Sequence, residues 1–104
     1  MSNARCFILD ECRKDTESVK EYGKPQLLFP PHRSRSSVWG KAYDDDVLNA
    51  LEACKFDPKT DYLVAAGHLL NVVRACTAMV QRYGKIRMLF FYGPEQKYRA
   101  MQLG

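Results

Sequence analysis

Asp61-Tyr62-Leu63-Val64-Ala65-Ala66, the break Gly67-His68, a helical run from Leu69 to Tyr83, Gly84-Lys85, and Ile86-Arg87-Met88-Leu89-Phe90-Phe91-Tyr92 together decide the fold. Two short apolar runs flank a segment with helical spacing of apolar residues. That pattern makes a βαβ unit, whose strands run parallel because the helix carries the chain back to the starting edge. Beyond it, Gly93-Pro94-Glu95-Gln96 signals a reversal. Lys97–Leu103 then returns antiparallel as an edge strand, with Lys97 and Arg99 discouraging stray edge pairing.

Working back toward the start, Arg5–Asp10 is apolar enough to lie inside a sheet. Asp15 can cap a short helix over 16–22, which Gly23 ends. Gln26–Phe29 forms a second strand, stopped by Pro30-Pro31. His32–Tyr43 is basic and irregular, and contains the single Trp, Trp39. Asp44-Asp45-Asp46 opens an amphipathic helix carrying Val47, Leu48, Leu51 and Cys54 on its apolar face. The sum is one α/β domain over 1–104, in the order β-α-β-loop-α-β-α-β-β, with an irregular loop at 30–43. Right-handed crossovers place helices on both faces of a mainly parallel, mixed sheet of about five strands that ends in an antiparallel hairpin.

With 104 residues, 46% hydrophobic and 27% charged, the chain suits a single folded domain. No stretch approaches the roughly 20 apolar residues that span a bilayer, and the first residues lack a secretory apolar region, so a cytoplasmic location is expected. The cysteines, Cys6, Cys12, Cys54 and Cys76, form no C-x-x-C pair and no common zinc spacing. Reduced, buried thiols are expected, and no metal or cofactor. Charge is uneven. Residues 1–73 carry 10 bases and 11 acids, and residues 74–104 carry 6 bases and the single acid Glu95, a net of +5. Such a bias favours anionic partners.

In an open parallel sheet, ligands bind beyond the carboxyl ends of the strands. That rim collects Asp10, Glu11, Cys12 and Arg13 after the first strand, the basic loop after the second, and Gly67-His68 after the third. Arg33 and Arg35 can close on an anion with forked donors, Ser36 can add a hydroxyl, and Gly67 and His68 sit at a helix start where unpaired N–H groups point outward. The expected ligand site is therefore Arg33, Arg35, Ser36, Gly67 and His68, taking an anionic or phosphorylated molecule. Neither a dinucleotide fingerprint nor a P-loop is present. Val38, Trp39 and Tyr43 form an aromatic patch suited either to tuck back on the sheet as a lid over the rim or to anchor a partner protein, with Trp39 and Tyr43 as its contacts.

Three functions stay open. The first is a small, soluble, non-catalytic binding protein that engages a protein or an anionic ligand. The second is a nucleic-acid binder using the basic last third, where Arg87, Lys97 and Arg99 mix with Tyr92 and Tyr98. The third is a small phosphoryl or nucleotide enzyme using His68 and Cys12. Nothing in the sequence orients these two as base and nucleophile, and no catalytic residue is assigned. The helix from Leu69 to Tyr83 has only a narrow polar stripe, Asn71, Arg74, Thr77, Gln81 and Arg82, which implies cover by a neighbour or by a second subunit and so a homo-oligomer.

The stretches Phe7-Ile8-Leu9-Asp10, Tyr22-Gly23, Phe56-Asp57-Pro58-Lys59-Thr60-Asp61-Tyr62-Leu63-Val64, Gly67, Arg82-Tyr83-Gly84-Lys85-Ile86-Arg87 and Lys97-Tyr98 resemble small uncharacterised α/β proteins encoded by tailed bacteriophages. The resemblance implies a phage origin, action in the host cytoplasm, and a role against host machinery or defence. It implies no catalytic residues.

Overall fold

A computed structural model describes residues 4–10, 17–30 and 36–104. Its strands are β1 (Arg5–Asp10), β2 (Lys24–Phe29), β3 (Tyr62–Val64), β4 (Ile86–Tyr92) and β5 (Lys97–Leu103). Its α-helices are α1 (Ala42–Ala53) and α2 (Leu69–Tyr83). Glu17–Glu21 form a short 3-10 helix where the sequence predicts one over 16–22; the cap expected from Asp15 lies outside the described residues. The strand order is β2-β1-β3-β4-β5.

The two apolar runs of the βαβ unit are hydrogen-bonded neighbours and parallel, Leu63 opposite Met88 and Val64 opposite Leu89. β1 runs parallel to both β2 and β3. Only β5 is antiparallel, pairing with β4 from Ile86–Leu103 to Tyr92–Lys97. The β1-to-β2 step moves one way across the sheet, and the two later steps move the other way. Because crossovers keep one hand, the helix of the first step and those of the later steps fall on opposite faces. On one face Phe7, Leu9, Leu63 and Met88 pack against Val47 and Leu51 of α1 and Ala75 and Met79 of α2. On the other, Cys6, Ile8, Val64 and Leu89 pack against Val19 of the 3-10 helix and Tyr98 of β5. Burial on both faces explains why β1 and β3 read as unbroken apolar runs.

β3 is shorter than its apolar run suggests, three residues where six were expected. It therefore supports only the first half of β4. Past Leu89, whose carbonyl accepts from Ala65 N–H at 2.9 Å, β4 continues beside β5 alone as a two-stranded ribbon. The expectation that β4 is a central strand holds for its position and for Ile86, Met88 and Leu89. Phe90, Phe91 and Tyr92 are exposed because the sheet on their β3 side has ended. No helix among the described residues is long and apolar enough to cross a membrane.

The amino ends of the strands are held by Asp61. Its buried carboxylate accepts from the Arg5 backbone N–H at 3.0 Å, the Arg5 guanidinium at 2.8 Å and the Asp57 N–H at 2.8 Å. The Arg5 guanidinium also donates to the Cys54 carbonyl and, at 2.8 Å, to the Lys55 carbonyl just beyond α1. One ion pair thus ties β1, the end of α1 and the entry to β3.

Candidate functional site

The connections from β1 and β3 leave in opposite directions, so the crevice of a doubly wound sheet opens between their carboxyl ends. Asp10 ends β1 there, and Asn71, in the first turn of α2, donates to its Oδ2 at 3.2 Å. Asn71 is buried, not part of the outward polar stripe that helical spacing predicts. The signal that locates it is position: a side chain in the first turn after β3 faces the switch point, whatever its polarity.

Gly67 turns the chain out of β3 with φ 103°, a left-handed region that favours glycine. His68 is the N-cap of α2, and its Nδ1 accepts from the Leu70 N–H at 3.3 Å. One outward N–H of the helix start is therefore already engaged, so an anion there competes with the imidazole. Ser36 lies against α1, its backbone N–H donating to Asp46 Oδ2 at 2.6 Å. That bond holds the Asp46 carboxyl below the usual carboxylate range. Arg33 and Arg35, with Glu11, Cys12 and His32, lie outside the described residues.

The aromatic patch divides. Trp39 is 83% exposed in the turn before α1. Tyr43 corrects the expectation of a partner-binding side chain. It is fully buried, its ring 6.1 Å from Phe29, because it sits on the face of α1 that meets the sheet. The basic and aromatic residues of the hairpin divide as well. Arg87 donates to the Lys59 carbonyl at 2.7 Å and to the Tyr62 hydroxyl, with its guanidinium 4.1 Å from the Tyr62 ring centroid. Tyr98 is buried under Phe91, and its carbonyl accepts from the Tyr22 hydroxyl. Tyr92, Lys97 and Arg99 remain exposed.

A different site emerges between α2 and the hairpin. Ala65, Val73, Cys76, Met88, Phe90 and Leu103 are among the residues lining an open groove of about 550 Å³, a volume typical of binding clefts. Leu69 is 76% exposed, Val73 51% and Phe90 37%. Met101, 55% exposed, pairs with Met88 and so shares its face of the sheet. Burial pushes the Cys76 thiol up to about 11, which keeps it protonated at neutral pH. It is part of an apolar wall, not a nucleophile. The sequence carried a signal for this groove in the narrow polar stripe of α2. What it did not show was that β3 stops early and leaves the end of β4 bare.

Among the described residues, no cluster of His, Cys, Asp and Glu has the geometry to hold a metal ion. No family model, curated protein or solved structure matches the chain.

Proposed function

We propose that the protein is a non-catalytic binding module that takes an apolar segment of another protein into the groove between α2 and the β4–β5 hairpin. The observation that carries this reading is the concentration of large exposed apolar side chains, Leu69, Val73, Phe90 and Met101, on one side of the molecule. Scattered single apolar residues on a surface are ordinary, whereas a contiguous set beside a cleft marks an interaction surface. Burying such a side chain from full exposure contributes about 1.5–3 kcal/mol, and these four keep between 37% and 76% of their surface to bury. Four of them can drive association that the folded chain alone leaves unused.

Two features argue against chemistry in the groove. Its one thiol is protonated, and the ten residues that line it carry no charge. The resemblance to phage-encoded proteins directs the search for the partner to host proteins.

The test is selection of a random dodecamer peptide library on the immobilised protein. Enriched peptides should bind the wild type and lose at least tenfold in affinity on a Val73→Asp/Phe90→Asp variant that retains its circular dichroism spectrum. Equal binding to both proteins would remove the groove from the proposal. Should that variant not fold, Leu69→Ser with Val73→Ser replaces it, since both side chains are largely exposed.

A further inference from the structure

We infer that the segment this groove takes is acidic as well as apolar, and that Lys97 and Arg99 receive its carboxylates. The inference rests on the groove being a protein-docking site. It comes from the hairpin register. Phe90 pairs with Arg99 and Tyr92 with Lys97, so the two cations stand on the same face as the groove's Met88 and Phe90. Side chains directly opposite on an antiparallel pair are neighbours. The apolar cleft therefore has a cationic rim along its distal edge.

Three further observations fix the sign of the partner. Residues 74–104 hold six bases and one acid; Arg74 and Arg82 are paired with Asp44 and Glu52 of α1, and the residues lining the groove include no carboxylate that would repel an acidic partner. The third cation of the hairpin, Arg87, is held by Tyr62 and the Lys59 carbonyl, which leaves Lys97 and Arg99 to face outward. The single acid, Glu95, reaches both of them loosely, at 3.9 Å from Lys97 Nζ and 3.7 Å from Arg99 Nε, with all three side chains exposed. A carboxylate already rests between these two cations from within the chain. Exposed pairs at that separation contribute little to stability, so a partner's carboxylate displaces Glu95 at small cost.

The same charges select against the other occupants. A second copy would bring Lys97 and Arg99 toward a groove whose lining holds no carboxylate to receive them. A nucleic acid would satisfy the cations and could stack on Phe90 and Tyr92, but it would leave the aliphatic slot beyond them, walled by Val73, Met88 and Leu103, unfilled. An amphipathic peptide satisfies both halves, with apolar side chains in the slot and acids on the rim.

The experiment is the dodecamer library repeated on a Lys97→Glu/Arg99→Glu bait, with fluorescent oligo-dT and sedimentation of the unliganded protein in parallel. Wild-type selection should enrich Asp and Glu beside Leu, Ile or Phe. The charge-reversed bait should enrich Lys and Arg instead and bind the wild-type winners at least tenfold more weakly. Glu95→Gln should tighten those winners severalfold. Winners that are neutral or basic, or that ignore the reversal while still failing on Val73→Asp/Phe90→Asp, would overturn the acidic partner and leave the groove standing. Winners indifferent to the groove variant would overturn both. A dimer whose assembly is broken by Val73→Asp, or oligo-dT binding lost with Phe90→Asp, would assign the surface to a second copy or to nucleic acid and overturn the inference.

Discussion

At the amino ends of the strands, the Asp61 carboxylate is enclosed by the Arg5 and Asp57 backbone N–H groups and the Arg5 guanidinium. At the carboxyl ends, Asp10 meets Asn71 at 3.2 Å, His68 caps α2 at the surface, and the ribbon beyond Leu89 carries Phe90, Phe91 and Tyr92 partly in solvent. One sheet thus has a closed end and an open end. The closed end spends the Asp61 and Arg5 side chains on one another, which secures the fold, and keeps beside them a pocket of about 580 Å³ lined by Lys59, Lys85 and Arg87. The open end leaves apolar surface and cations unspent, which costs stability and makes binding possible.

The largest effect should come from breaking the closed end. Asp61→Ala leaves two backbone N–H groups without their acceptor and removes the ion partner of Arg5, which keeps the Cys54 and Lys55 carbonyls, and loss of one partner of a buried ion pair costs about 3–5 kcal/mol. For a domain of this size that lowers Tm by on the order of 15 °C. Calorimetry showing a shift below about 5 °C would mean that the Asp61 clasp is not what holds β1 to β3. Asn71→Leu at the open end should cost much less, about 1 kcal/mol, the net worth of a typical hydrogen bond. Equal losses in the two variants would erase the distinction between the ends.

Much of this asymmetry could be read in the sequence. The limits of α2, β1, β4 and β5 follow from apolar periodicity and from Gly84, which ends α2 by donating to the Val80 carbonyl at 2.8 Å. Parallel pairing followed from the length of α2. The site was harder, because its residues are defined by what is missing beside them. Phe90 and Leu89 are both apolar and adjacent, yet one is half out in solvent and the other fully buried. The difference lies in β3 ending at Val64, some 25 positions earlier, and no local pattern reports that. Asp61 read as the first residue of a strand, whereas it lies just before β3 as an acceptor for a side chain 56 positions away. Tyr43 misled because an aromatic residue in a polar loop and one on the buried face of a helix look alike until the helix start is known. α1 begins at Ala42, ahead of the three aspartates that seemed to open it.

The smallest predicted effect belongs to the loop that precedes α1, where Ser36 N–H donates to Asp46 Oδ2. Hydrogen bonds from Ser36 favour the charged carboxylate, so its folded pKa lies below the unfolded one. The sign of the linkage follows. The bond supports the folded state above the unfolded pKa, and that support fades as pH falls through the lowered folded value. Because Asp46 is half-buried at the surface of α1, outside the core, the change is confined to this loop and leaves the unfolding transition of the core in place. The Ser36 amide proton resonance should titrate with a midpoint below the usual carboxylate range, and the titration should vanish in Asp46→Asn. A midpoint at or above that range would show that the loop does not grip α1 through this contact. Trp39, three residues along, would then present its ring from a tether looser than the Asp61 end and closer in character to the ribbon.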